Sequence, residues 1–117
     1  MPYPAIKYSE TFYKNVSANT EDRSTGVTPA NGEQLAIYRF RANGSDPSAY
    51  VALVWDRGPS EKIIASTKGD IDLILSTEIH TEHLIGDGVK KLQICLINDT
   101  DSASPIIGGS FETIGVD

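Results

Sequence analysis

The sequence is short of several things, and each shortage narrows what the chain can be. It holds one cysteine, Cys95, so an intramolecular disulfide is excluded and stability must come from packing rather than a covalent framework. Cations are outnumbered: 10 lysines and arginines stand against 16 carboxylates, a formal net charge of -6. Such a chain repels the phosphate backbone of nucleic acid and anionic lipid surfaces, so neither is an expected partner. No apolar run approaches the ~20 residues that span a bilayer. The N-terminal Met1-Pro2-Tyr3-Pro4-Ala5-Ile6-Lys7 lacks a basic region followed by an apolar stretch, so neither an export signal nor a membrane anchor is expected, and the product reads as soluble. No glycine cluster is followed by a helical pattern, which argues against a phosphate-cradling loop and the nucleotide enzymes that use one. Gly108-Gly109-Ser110 lacks the second glycine of a nucleophile elbow, so serine hydrolysis gets little support. Neither a catalytic residue nor a cofactor is expected.

What is present is β-sequence. At 117 residues the chain is one domain's worth, residues 1–117, large enough to bury a single core. The richest stretch runs from Ser48 to Ile79. It reads as strands from Tyr50 to Trp55, Lys62 to Thr67 and Ile71 to Ile79, separated by the turn signals Asp56-Arg57-Gly58-Pro59 and Lys68-Gly69-Asp70. Three strands in succession with tight reversals predict a β-meander. The lone tryptophan, Trp55, shares parity with Val51 and Leu53, a bulky apolar ridge that needs a second layer against it.

The flanking segments supply that layer. Between Ile6 and Val16 apolar residues fall on the even positions Ile6, Tyr8, Phe12 and Val16, the pattern of a half-buried strand. Ser17 to Gly32 is polar, a long loop of about 16 residues, within which Gly26-Val27-Thr28 can add a short edge pairing. From Gln34 to Arg41, Leu35 and Ile37 lie on one side and Ala36, Tyr38 and Phe40 on the other. Val89 to Asn98 places Leu92, Ile94 and Leu96 on one face. Ile106 to Val116 carries the paired glycines Gly108 and Gly109, which predict a bulge or bend. The sum is about seven strands and no amphipathic helix: an all-β, single-domain antiparallel β-sandwich of jelly-roll type.

Three groups of residues stand out as candidate sites. His80 and His83 with Glu78 and Glu82 form the one local cluster resembling a metal site, but the spacing is wrong for the helical zinc motif, and a solvated strand end accounts for them better. Asp99 and Asp101, beside Asn98 and Ser102, offer closely spaced oxygens without the glycine and distal glutamate of a calcium loop, so no metal is expected there. Glycosylation-type triplets begin at Asn15, Asn43 and Asn98, and without export they are read as chance. The third group is apolar. If Leu92, Ile94 and Leu96 point inward, Cys95 and Ile97 point outward; if Ile71, Leu73 and Leu75 are inward, Ile74 is outward; Tyr50 and Val54 oppose the Trp55 face. Either the chain covers this second face itself, or Ile74, Cys95 and Ile97 mark an intermolecular contact.

A short chain beginning at Met1, near-absent helix, no catalytic motif, and phrases such as Thr25-Gly26-Val27-Thr28-Pro29-Ala30-Asn31-Gly32-Glu33 together resemble the small jelly-roll accessory proteins of tailed-phage particles, of the capsid decoration or cement type. The resemblance covers the full length and carries over no individual residue. It implies a virion protein made in the host cytoplasm, a major capsid protein or another virion protein as partner, a homo-oligomer, most often a trimer, and a mechanical role. The competing reading is a carbohydrate-binding module, for which Tyr3, Tyr13, Tyr38, Tyr50 and Trp55 are the aromatic stock.

Overall fold

Alternation of apolar and polar side chains, interrupted by register shifts in three of the strand pairings, sets the strands of this chain. The computed structural model describes residues 5–43, 49–56, 61–67, 71–74, 84–102 and 106–115, with 67 and 71–74 described by backbone alone. Among them are β1 (Ile6–Lys14), β2 (Thr20–Arg23), β3 (Gln34–Asn43), β4 (Ala49–Trp55), β5 (Lys62–Thr67), β6 (Ile71–Ile74), β7 (Leu84–Ile85), β8 (Leu92–Asn98) and β9 (Ile107–Gly115). No helix among the described residues is long and apolar enough to cross a membrane.

The strands form two antiparallel sheets. The front sheet has the order β1-β9-β3-β6, and the short β7 also pairs with β3. Because β9 runs along one side of β3, β6 and β7 share the other side and act as one interrupted strand. The back sheet has the order β2-β8-β4-β5. With β6 and β7 taken as one, the strands pass along the chain front, back, front, back, back, front, back, front, which is the double Greek key of a jelly roll.

One expectation about strand pairing is corrected. The meander is not formed: β4 and β5 pair as a hairpin in the back sheet, but β6 crosses to the front sheet and pairs Arg39 with Ile74 and Ala42 with Ile71. Alternation of Ile71 and Leu73 fits the inner face of either sheet, so local pattern does not choose between them. Two short strands, β2 and β7, join the roughly seven that alternation predicts. β2 is Thr20-Glu21-Asp22-Arg23, polar throughout, as suits a short edge strand that must resist pairing with other chains. The track of β2 continues past Ser24 to a bridge between Val27 and Leu92, so the edge pairing foreseen at Gly26-Val27-Thr28 is present.

Other boundaries move for local reasons. Val89 is outside β8, because the Asp87 carboxylate accepts hydrogen bonds from the backbone N–H groups of Val89 (2.9 Å) and Lys90 (2.7 Å) and holds a turn there. Gly108 and Gly109 make no bulge; β9 runs through them in register with both neighbours. They are small because those neighbours press close. A Cβ on Gly108 would meet the Phe12 carbonyl oxygen, and one on Gly109 would lie 2.6 Å from that of Arg41.

The core lies between the sheets. Leu35, Ile37, Phe40, Val51, Leu53, Leu92, Ile94, Leu96, Ile107 and Phe111 are buried in it, each fully buried large side chain contributing about 1.5–3 kcal/mol. Trp55 joins them at 7% exposure, on the face it shares with Val51 and Leu53. A register shift between Ile37 and Arg39 changes the parity of β3, so Phe40 turns to the same inner side as Leu35 and Ile37 and sits opposite Phe111. The strict alternation expected for this strand put Phe40 on the wrong side.

Candidate functional surface on the back sheet

The outward face of the back sheet is where sequence and structure disagree most usefully. Cross-strand register places Ile97 beside Tyr50, Cys95 beside Ala52, and Gln93 beside Val54, with Ile63 continuing the last row onto β5. Alternation turns these side chains away from the core, yet Ala52, Val54 and Cys95 form a second buried apolar cluster with Ile97 packed against it. On this same side, beside Cys95, an ionic bridge joins the two edges of the sheet. Arg23 sits on β2, one edge of the sheet; Glu61 immediately precedes β5, the opposite edge. The guanidinium makes a two-pronged bond to the Glu61 carboxylate, Nη1 to Oε2 at 2.6 Å and Nη2 to Oε1 at 2.9 Å, and Nη2 also reaches Glu21 at 3.3 Å. The pair therefore passes over β8 and β4, the strands that carry the apolar cluster.

Cys95 shows what this setting does to chemistry. It is 1% exposed, and its thiol donates to Glu21 Oε1 at 2.8 Å. Burial, then the bond to Glu21 and its charge, push the thiol pKa up to about 12, so at neutral pH the sulfur is a protonated, inert group rather than a nucleophile. Gln93 is equally covered: Nε2 donates to the Ser24 carbonyl at 2.9 Å, and Oε1 has no partner among the described residues.

The three residues expected to mark one contact face do not come together. Cys95 and Ile97 do point outward on β8, but Cys95 is sealed by its own chain, and Ile97 is only partly covered. Ile74 lies on β6 in the other sheet, and its side chain is outside the described residues. Exposed apolar surface instead appears at Ile63, 63% exposed, next to Val54. At the upper end of the same face a depression of about 360 Å³ lies between Asn19-Thr20-Glu21 and Ile97-Asn98-Asp99.

The remaining candidates take structural roles or fall outside view. His80, His83, Glu78 and Glu82 lie outside the described residues. Asp101 accepts a hydrogen bond from Asn19 Nδ2 at 3.0 Å, and Asn98, 1% exposed, organises the turn around it. Asn98 Nδ2 donates to the carbonyls of Val16 (3.1 Å) and Ser102 (2.8 Å), while Oδ1 accepts from the N–H and hydroxyl of Thr100. That amide is spent on joining loops. Ser110 lies within β9, between Thr11 and Arg41, rather than on a strand-to-helix turn. Among the described residues no group of three or more His, Cys, Asp or Glu converges as metal ligands would.

Sequence reasoning missed Glu10. It occupies an even, inward position of β1 opposite Phe111, and its carboxylate accepts from Ser24 Oγ at 2.5 Å and Gly26 N at 2.9 Å. Ser24 Oγ in turn accepts from Ile94 N at 2.9 Å. With the Lys14–Asp22 ion pair at 3.3 Å, this closes the β1/β2 side of the sandwich. A carboxylate at an apolar parity was the available signal. The Arg23–Glu61 pair left no such trace, since its members are 38 residues apart. In comparisons with known proteins, no family model, no curated protein and no solved structure matches this chain.

Proposed function

We propose that the chain is a non-enzymatic structural protein of a phage particle, a decoration or cement protein that attaches to an assembled shell through its major capsid protein. The observation that carries this reading is the outward face of the back sheet, where Tyr50, Ile97 and the exposed Ile63 surround a dry apolar cluster. Exposed apolar side chains bordered by ionic groups suit contact with another protein. The jelly roll is a recurrent fold of capsid and lectin domains, so it is compatible with attachment. The carbohydrate-binding reading loses its best platform, because Trp55 is in the core, 7% exposed.

Co-sedimentation with purified shells tests the proposal, with a glycan array as its counterpart. Pelleting with shells and silence on the array supports it. Glycan binding without pelleting would replace it with the carbohydrate module.

A further inference from the structure

We propose that the Arg23–Glu61 ion pair is a strap that locks the outward apolar cluster of the back sheet, and that releasing it opens this face locally while the sandwich stays folded. The inference stands apart from what the protein attaches to. Four features support it. The strap joins opposite edges of one sheet, across two intervening strands, instead of tying neighbours. Beneath it Ala52, Val54 and Cys95 are at most 3% exposed, although they lie on the side of the sheet away from the core. Both anchors lie at sheet edges: β2 is four residues long and pairs only with β8 among the described strands, and Glu61 precedes the edge strand β5. The β4–β5 pairing is itself interrupted, with a register shift between Leu53 and Val54 that leaves Ile64 extra. Elements held by one neighbour, with a broken ladder, open at lower free energy than central strands.

The bond is of the kind that makes a good latch. A two-pronged guanidinium–carboxylate contact is specific in geometry and is lost as a unit when either partner goes. The side chains of Arg23 and Glu61 are 20% and 24% exposed, so the pair is partly shielded from solvent yet reachable by a competing ion. The apolar cluster, by contrast, has one titratable reporter within it. Cys95 lies under the strap, and Glu21, Arg23 and Glu61 all act on its thiol. Its reactivity reads whether the strap is open.

The test is the rate at which a neutral pyridyl disulfide labels Cys95 in the full chain, far below the unfolding midpoint. Wild type should label slowly. Glu61→Gln and Arg23→Gln should each speed labelling on the order of tenfold or more, given the strength of charge-assisted bonds, with unchanged circular dichroism. Charge effects on the thiol alone would split the two variants: removing Glu61 eases thiolate formation, whereas removing Arg23 hinders it. Acceleration in both is the signature of opening. Asp22→Asn, which breaks the Lys14–Asp22 pair instead, should leave the rate unchanged. Rates that split, that stay at the wild-type value, that rise equally in Asp22→Asn, or that merely follow global unfolding in denaturant would overturn the strap. If Arg23→Gln does not fold, Arg23→Lys keeps the charge but not the fork; faster labelling in it supports the proposal and an unchanged rate overturns it.

Discussion

Trp55 is the bulkiest side chain of the inter-sheet core cluster. It is 7% exposed in the inter-sheet core beside Val51 and Leu53, so Trp55→Ala removes a large buried surface and leaves a cavity that the sheets cannot fully close. The expected loss is about 3–5 kcal/mol in chemical denaturation; a loss below about 1 kcal/mol, or wild-type fluorescence at the wavelength of an exposed indole, would contradict the packing. Glu10 makes a different kind of contribution. Its carboxylate joins β1 to Ser24 and Gly26, and Glu10→Gln keeps the shape while removing the charge that strengthens both bonds. We expect a loss of about 1–3 kcal/mol, measured by the same denaturation, and a further fall in stability on adding Ser24→Ala, because Ser24 Oγ also serves Ile94 N. Trp55 was legible from parity and size alone. Glu10 was not, since a charged residue in an apolar register makes sense only once its partners, 14 and 16 residues away, are in place.

At the scale of elements, what was legible was type, and what was not was partnership. Most strands announce themselves by alternation, and β4 and β8 fall close to where the pattern puts them. The bulge in β3 and the crossing of β6 do not, because a period of two is blind both to an inserted residue and to which sheet a strand joins. Polar β2 carried no apolar signal at all; its strand state is set by pairing with β8 and by charges that an edge tolerates. The loops have legible chemistry of their own. Glu33 accepts from the Tyr8 hydroxyl at 2.6 Å and the Ala30 N–H at 3.1 Å, and those bonds hold its carboxyl below the usual range, the Tyr8 bond first. Asp87 is lowered likewise, by the N–H groups of Lys90 and then Val89. A depressed folded pKa means stability that is present above the ordinary carboxylate value and is lost as pH falls through the lowered one. Acidification should therefore lower Tm less in the double variant Glu33→Gln, Asp87→Asn than in wild type; parallel curves of Tm against pH would show that neither carboxylate contributes. The central glycines give a steric counterpart. A Cβ at Gly109 would sit 2.6 Å from the Arg41 carbonyl oxygen and 3.1 Å from Val51 Cγ1, so Gly109→Ala must push β9 away from β3 and should cost about 1–3 kcal/mol, read as a lower denaturation midpoint.

For the whole molecule, the proposed attachment to a shell makes a demand that the surface can meet only in numbers. One back-sheet face offers little exposed apolar area: Ile63 is 63% exposed and Ile97 is partly covered, while the cluster between them is already dry. A single contact of that size binds weakly. A shell repeats its sites, and a homo-oligomer presents several copies of one face, so each engaged subunit raises the effective concentration of the next and firm attachment needs no large interface per subunit. A trimer placed at a symmetry axis satisfies this geometry. Ile63→Lys then places a charge where a partner would bury it, costing desolvation only if the contact exists. In the isolated chain the same lysine stays in water, so the fold and its midpoint should be unchanged. Ile97→Lys is the second probe, at the opposite end of the face. Co-sedimentation with shells should fall on the order of tenfold or more for either variant, and more steeply than one contact predicts, because the loss repeats in every subunit. Light scattering on the free protein separates assembly from attachment: a trimer that survives both substitutions but no longer pellets would assign the face to the shell. A wild type that stays monomeric and never pellets would end the proposal.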